Sequence, residues 1–543
     1  MEQSSDSHLN LNPCSFLHAK IFSITPFLFI IFRYLRSPTA VLMPSESSNL
    51  IRLIRSLKPG EKRYITLELS RYRKENNLLK LYQLIGNTHS VTDAVIRQKI
   101  KDKKFLSQLS INKHKLYISI LDTLQQLYLK SSPYAQAVSM IHQAHLLFSK
   151  GLRKAQEELL AKAIIPVTRY EFRELHLQVM NLQQRIQNYD AEKTVLEMQR
   201  LCNQLLNERK LNQLHNRMLT FEKEPGIRLN SVQKAELKSL MEEALKIEGN
   251  SFTVNYYRFR ISFSYSAITG DHLLSFNHAQ TLLNLFKQFP HMLDLEFWRI
   301  EYIESLRNFI PAFTFFGKSE WREFVYKEAK RLDVPDIYKA SIIINILDAY
   351  IQSGEYYENE KKLTDIQRQI GYYKEYLSPY NRPILYFNLA LLNFGIQKFS
   401  KALSWLNEII NNPDSDSINK TLSAMTRILR LIVFYELGHM DLLDNNLRST
   451  QRHIAKQGSF YQIDRLLLKF IRKIANVNRQ EERMLLLKQT RTALMKLLRD
   501  KTESRTLDFF DFVSWIDCKI EQRSFAETAK QKYRTRTFRQ HSH

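Results

Sequence analysis

Residues Tyr386–Asn412 read YFNLALLNFGIQKFSKALSWLNEIINN. The stretch holds no cluster of acids, histidines or cysteines. Its order lies in spacing: aromatic, small and leucine side chains return every three or four residues, which places them on one face of an α-helix. The pattern predicts a helical hairpin. A first helix runs from about Pro383 to Phe394, a turn occupies Gly395 to Lys398, and a second helix runs from about Phe399 to Ile410, with Pro413 and Asp414 marking the exit. Ala390 and Ala402 are small enough to let the two backbones approach. Tyr386, Leu389, Phe399, Leu406 and Ile409 are expected to fill the space around that contact.

This arrangement resembles a tetratricopeptide repeat, a unit of two antiparallel helices with a fixed pattern of large and small apolar positions. Tyr386 matches the first-helix aromatic of that family, Leu389 its leucine, and Ala390 the small residue beside it. Phe399 and Ala402 match the aromatic and the alanine of the second helix. Asn393 stands where an aromatic is usual, and Leu406 and Ile409 replace a usual aromatic and alanine. The resemblance implies that the first helix of each unit lines a concave face, with Phe387, Leu391 and Phe394 as its candidate residues here. The family's clamp for a peptide carboxylate needs basic and amide side chains, which Phe387, Leu391 and Gly395 cannot supply. Either an apolar groove receives a partner's helix or strand, or these side chains are buried against neighbouring repeats. The second reading is preferred, because exposed aromatic patches are costly for solubility.

Related hairpins are readable on both sides of this one, around Gly151, Gly270, Gly317, Gly354 and Gly438. From Gly317 the turns follow at intervals of 37, 41 and 43 residues, so the array is degenerate. A stack of paired helices absorbs such variation because each unit meets mainly its neighbours. Residues 165–245 carry few breakers and predict long paired helices within the same stack. The expected fold is all-α: an irregular tetratricopeptide-like solenoid over residues 131–450, a helical cap over 451–529, and a mobile basic tail over 530–543. Trp515 is expected to pack the last helix of the cap.

Composition agrees with this. The chain has 543 residues, with 44% apolar residues but only 12 glycines and 14 prolines, fewer than a sheet-rich fold of this size would spend on turns. Its formal charge is +25, which attracts polyanions or anionic membranes at long range. Cys14, Cys202 and Cys518 are far apart and form no C-x-x-C pair, which argues against a disulfide framework or a structural zinc site and suits a reducing, cytoplasmic setting.

Residues 43–130 form a separate basic helical unit, with 17 Lys and Arg against 7 Asp and Glu. Pro59 and Glu61 mark a helix start, followed by an apolar face of Tyr64, Leu67 and Tyr72, widened by Leu69. Ser110 to Lys113 is either a joint between helices or a polar turn of one. Lys99, Lys101, Lys103 and Lys104 surround a helix boundary, where solvated charge is the plainer reading than a DNA- or RNA-binding surface. Residues 1–42 differ from the rest: the apolar run Ile21–Phe32 is interrupted by Pro26 and too short for a full membrane span. It reads as a weak membrane or export segment, as an ordinary apolar helix, or, preferred here, as a misassigned start ahead of Met43.

No phosphate-binding loop, H-E-x-x-H pair or G-x-S-x-G elbow is present. His114, His142 and His145 lie on helical stretches without a completing ligand, and acids such as Glu320, Glu323 and Glu328 read as solvated helix positions. No catalytic, cofactor-binding or metal-ligating residue is assigned. The whole arrangement is also similar to a broad group of uncharacterised bacterial proteins of about 500 residues, through LIRLIRSLKPGEKRYITLELS, KFLSQLSINKHKLYISILDTL and LLFSKGLRKA. That resemblance implies a scaffold for protein partners. The expected function is therefore noncatalytic protein–protein interaction. The alternatives are a regulator that meets nucleic acid through its basic unit, and an enzyme of unknown reaction.

Overall fold

A computed structural model describes residues 46–541 apart from 72–76, 89–91, 186–190, 223–230, 358–376, 378–380, 413–419, 458–460 and 501–502. The leader, residues 1–42, lies outside the described residues. Among the described residues there are 24 α-helices, two short 3-10 helices and no strand. They divide between Ser131 and Ser132 into two compact units.

In the first unit the long helix Leu109–Leu129 packs against Glu46–Ser56, Pro59–Ser70 and Asn77–Asn87. Leu50, Ile54, Ile65, Leu69, Leu81, Ile85, Leu116 and Ile120 form the core between them. Glu61 accepts the Lys58 backbone N–H at 2.6 Å, satisfying one of the donors that a helix start leaves over. The apolar face differs from the sequence reading: Ile65 and Leu69 are buried, whereas Leu67 is 53% exposed. Burial follows the i, i+4 pair that meets the long helix. Ser110 to Lys113 is the first turn of the long helix, just after the joint at Gln108, and there Asn112 donates to the Phe105 carbonyl at 2.9 Å and Lys113 pairs with Asp93.

The second unit is a stack of helical hairpins. Its repeating first helices are Phe252–Thr269, Glu296–Phe315, Asp336–Ser353, Asn381–Gly395, Lys420–Glu436 and Gln462–Ile474. From Glu296–Phe315 onward each first helix packs on the next, and described second helices fill the gaps between them. The inner first helices are therefore buried over much of their circumference, whereas Gln462–Ile474 keeps Arg465, Lys469, Arg472 and Lys473 exposed. In Asn381–Gly395, Phe387 through Gly395 are all buried. The second helix, Phe399–Ile410, buries one stripe of Ala402, Leu406 and Ile409 and leaves its other face polar. One core runs from Leu211 to Ala529 through these hairpins, and a smaller one lies between the helices Pro133–Ser149, Arg153–Arg169 and Arg173–Gln183.

Asparagines brace the row of first helices. Asn345 donates to the Arg307 carbonyl at 3.3 Å and Asn388 to the Ile344 carbonyl at 3.2 Å, each reaching the preceding first helix. Asn393, at the position where the tetratricopeptide pattern has an aromatic, is buried and donates to its own helix at Leu389.

The turns close by a common device. Gly151, Gly270, Gly317, Gly354 and Gly438 all have positive φ, and the residue after each donates back to a carbonyl five residues earlier, as from Lys318 to Phe313 and Glu355 to Tyr350. Gly395 departs from this expectation. It is the last residue of its helix, and the left-handed position of that turn is Gln397, with φ 61°. The second helix expected after Gly354 falls outside the described residues.

Candidate interaction surface

The final segment starts at the 3-10 helix Glu503–Asp508, continues as helix Phe512–Glu521, and ends in helix Phe525–His541. The first of these α-helices packs on Gln480–Leu497, the second helix of the last hairpin. The chain then runs back over the first helices in reverse order. Trp515 meets Phe470 and Tyr435 edge-on, with ring centroids 5.8 and 6.2 Å apart, and its Nε1 donates to Glu436 at 2.7 Å. Phe509 meets Phe387 at 6.3 Å. Phe510 and Phe525 both stand edge-on to Phe394, at 5.2 and 5.3 Å, and stack on each other. Phe525 also reaches Tyr356 at 5.7 Å. The backbone at Ala529 and Lys530 lies against Gly354, where a Cβ would come within 2.5 Å of the Lys530 nitrogen. Finally the Tyr533 hydroxyl donates to the Thr314 carbonyl at 2.6 Å.

This placement answers the question about Phe387, Leu391 and Phe394. They are only 3%, 4% and 2% exposed. Phe387 and Phe394 are covered by aromatic side chains from the far end of the sequence as well as by adjacent helices. The tail also differs from its expectation: residues 530–541 continue a helix, which Tyr533 ties to the hairpin carbonyl of Thr314 and Lys532 ties to Asp511 at the start of helix Phe512–Glu521. Of the residues assigned to repeat packing, Leu389, Ala390, Ala402, Leu406 and Ile409 are buried. Phe399 is half-buried on Phe394, and Tyr386 is half-buried on Trp405. Tyr386 also borders a cavity of about 580 Å³ whose wall includes Arg382, Asn407, Glu408 and Asn411. His114, His142 and His145 are exposed.

Electrostatics fit a basic segment on this edge. The contacts fall near the C-terminal ends of first helices, where carbonyl dipoles favour cations. Lys519 pairs with Glu436 at 2.6 Å, and Lys532 with both oxygens of Asp511 at 2.8 Å. Asp511 also caps the Ser514 N–H at 3.0 Å. Burial, and then the nearby Asp511 and Asp348, hold the Tyr356 phenol far above its ordinary range. Burial pushes the Cys518 thiol up to about 12.

Two other polar groupings are buried near the front of the stack. Glu171, itself at φ 57°, accepts from the Phe252 and Thr253 N–H groups at 2.8 and 3.1 Å and so caps a helix 81 residues away. Arg173 lies between Glu171 and Glu208, at 3.6 and 3.3 Å. Burial pushes Glu208 up to about 7, against the attraction of Arg173. Tyr256 donates to Glu301, whose carboxyl burial raises, and burial pushes His215 down to about 3, helped by Arg260. These groups cap and brace helices. Among the described residues no three His, Cys, Asp or Glu side chains gather as a metal site, and no helix is long and apolar enough to cross a membrane.

Gly354, Tyr356, Phe510, Phe525 and Tyr533 were not singled out as surface residues by the sequence pattern. The aromatic density of LDFFDFVSWID signalled burial without saying where.

No family model matches the chain, and no curated protein matches it. A comparison with solved structures finds a Rap protein complexed with Competence and Sporulation Factor, at 11% identity and a TM-score of 0.40, over 71% of this chain and 99% of that one. Agreement that loose transfers nothing to this chain.

Proposed function

We propose that this helical-repeat protein is a noncatalytic scaffold for a protein partner. The observation that supports this most directly is the edge of the first helices. From Phe470 back to Thr314 it accepts a helical polypeptide across five successive hairpins, using aromatic pockets, a glycine seat and helix-end carbonyls. Such a surface recognises chain geometry and side-chain anchors, as a helix-in-groove interface does. The proposal includes a cytoplasmic setting, which the unpaired Cys202 and Cys518 suit.

Site-specific photo-crosslinking in the native host tests it. Crosslinkers at the exposed positions Gln531 and Ser404 are expected to give discrete adducts with one protein or a small set. Absence of any discrete protein adduct from positions on either face would end the reading.

One observation keeps the nucleic-acid alternative open. Lys99, Lys101, Lys103 and Lys104 are all exposed within the basic first unit. Binding to duplex or single strands that weakens steeply with salt would favour it, because phosphate contacts release counterions. No binding at low salt would remove it.

A further inference from the structure

We propose that helix Phe525–His541 is a replaceable occupant of its seat, and that the vacated seat takes a partner's basic amphipathic helix bearing an aromatic anchor and a small residue one turn on. This deepens the scaffold reading and rests on it.

The two helices of the final segment are held very differently. Phe510, Phe512, Trp515 and Ile516 are almost fully enclosed and fix the first part of the segment. In the last helix, buried side chains through residue 535 are confined to Phe525, Ala526, Thr528 and Ala529; Glu527, Gln531, Lys532, Arg534 and Thr535 face solvent. Between the two helices lies Gln522, a non-glycine at φ 55°, flanked by exposed Glu521 and Arg523. A left-handed side-chain-bearing residue is a ready hinge point, because leaving that conformation relieves strain.

The seat reads a few positions of its occupant. At Gly354 the contact is backbone on backbone, so any helix with a small residue at the Ala529 position fits. Phe525 supplies the apolar anchor between Phe394, Phe510 and Tyr356. Tyr533 and Lys532 supply one hydroxyl donor and one cation, to the Thr314 carbonyl and to Asp511. Those requirements define the partner: an aromatic, an alanine-sized residue four positions later, and a basic residue beside a hydroxyl donor on the next turn.

The test uses the full chain and a labelled peptide of residues 523–541. Ala529→Arg is expected to release the chain's own helix while leaving the seat intact. Amide exchange over residues 525–535 should rise at least tenfold, protection over 381–410 should stay, and the peptide should bind at least tenfold more tightly than to the parent. Gly354→Asn should release the helix too, because its Cβ meets the Lys530 backbone, but added to Ala529→Arg it should abolish peptide binding. Gly270→Asn is the matched control: Gly270 has φ +77° and nothing within 4 Å of a built Cβ. It should change neither reading.

Failure of Ala529→Arg to release the helix would overturn the proposal. So would loss of protection over 381–410, which would make the helix part of the core, or a freed seat that does not bind the peptide. Equal binding of a scrambled peptide would reduce the contact to charge alone and overturn it as well. None of these outcomes decides whether the cell holds a partner, which the crosslinking experiment reads separately.

Discussion

The ring of Tyr356 occupies the space in which a side chain at Gly395 would begin. A Cβ built at Gly395 would lie no more than 2.5 Å from three ring atoms, closer than real Cβ atoms come. Gly395 is thus required by an aromatic from the preceding hairpin, and its own backbone is ordinary helix. Gly395→Ala should destabilise the protein by about 1–3 kcal/mol through overpacking. Gly60→Ala should be neutral or mildly stabilising, since nothing lies within 4 Å there and alanine reduces unfolded-chain entropy. Urea denaturation of the two variants beside the parent checks both signs. Equal destabilisation by both would contradict the Tyr356 contact.

Within the same hairpin, Leu406 and Ala402 are completely enclosed. Leu406→Ala should lower stability by about 2–5 kcal/mol, because the neighbouring helices can only partly collapse into the vacated space. Ala402→Leu should lower it by about 1–3 kcal/mol, because the added atoms have nowhere to go. Thermal or urea melts that match the parent for both would refute close packing at this crossing.

Glu208 makes stability depend on pH in a predictable direction. Its carboxyl titrates near 4.5 when free and at about 7 in the folded protein, chiefly because of burial. Between those values the folded state holds a proton that the unfolded state has released. Its contribution to stability therefore falls as pH rises from about 4.5 to 7 and is level above that. The stability of Glu208→Gln relative to the parent should rise by about 2–3 kcal/mol from pH 4.5 to pH 8, since each tenfold change in proton affinity is worth about 1.4 kcal/mol. Taking the difference between variant and parent cancels the opposite trend from His215, whose contribution is lost as pH falls below 6.5. A difference independent of pH would show that folding leaves the proton affinity of Glu208 unchanged.

The two cysteines outside the leader should react at very different rates. Cys202 is exposed, whereas Cys518 is buried with its thiol pushed up to about 12 and donating to the Trp515 carbonyl. Since the thiolate is the reactive species, a maleimide at pH 7 should label Cys202 in the native protein and reach Cys518 only after unfolding. Peptide mass mapping after timed labelling reads this. Fast native labelling of Cys518 would mean that helix Phe512–Glu521 opens readily.

Much of the array was legible because its signals are local. The hairpin from Asn381 to Ile410 follows from apolar spacing, and its second helix begins at Phe399 and ends at Ile410 as the pattern predicts. Five of the six turn glycines are left-handed, as a helix C-terminus favours. Gly395 misled because a glycine beside a helix end looks the same whether it serves its own turn or another residue's ring. The tail misled for a related reason. Polarity over residues 530–543 predicts mobility, but Gly354, Thr314 and Asp511 hold the helix from elsewhere in the chain.

The sequence by itself determined the all-helical class, the pairing of neighbouring helices and the side of helix Phe399–Ile410 that faces inward. These depend on interactions over three to forty or so residues, and the chain records them as periodicity, caps and turn glycines. Only the tertiary structure decided what covers Phe387 and Phe394, why Gly354 and Gly395 admit no side chain, and where the last helix rests. Those contacts join residues that can be more than two hundred positions apart, as Tyr533 and Thr314 are. They depend on the shape of surfaces that exist only once the hairpins have stacked, so no local spacing rule encodes them.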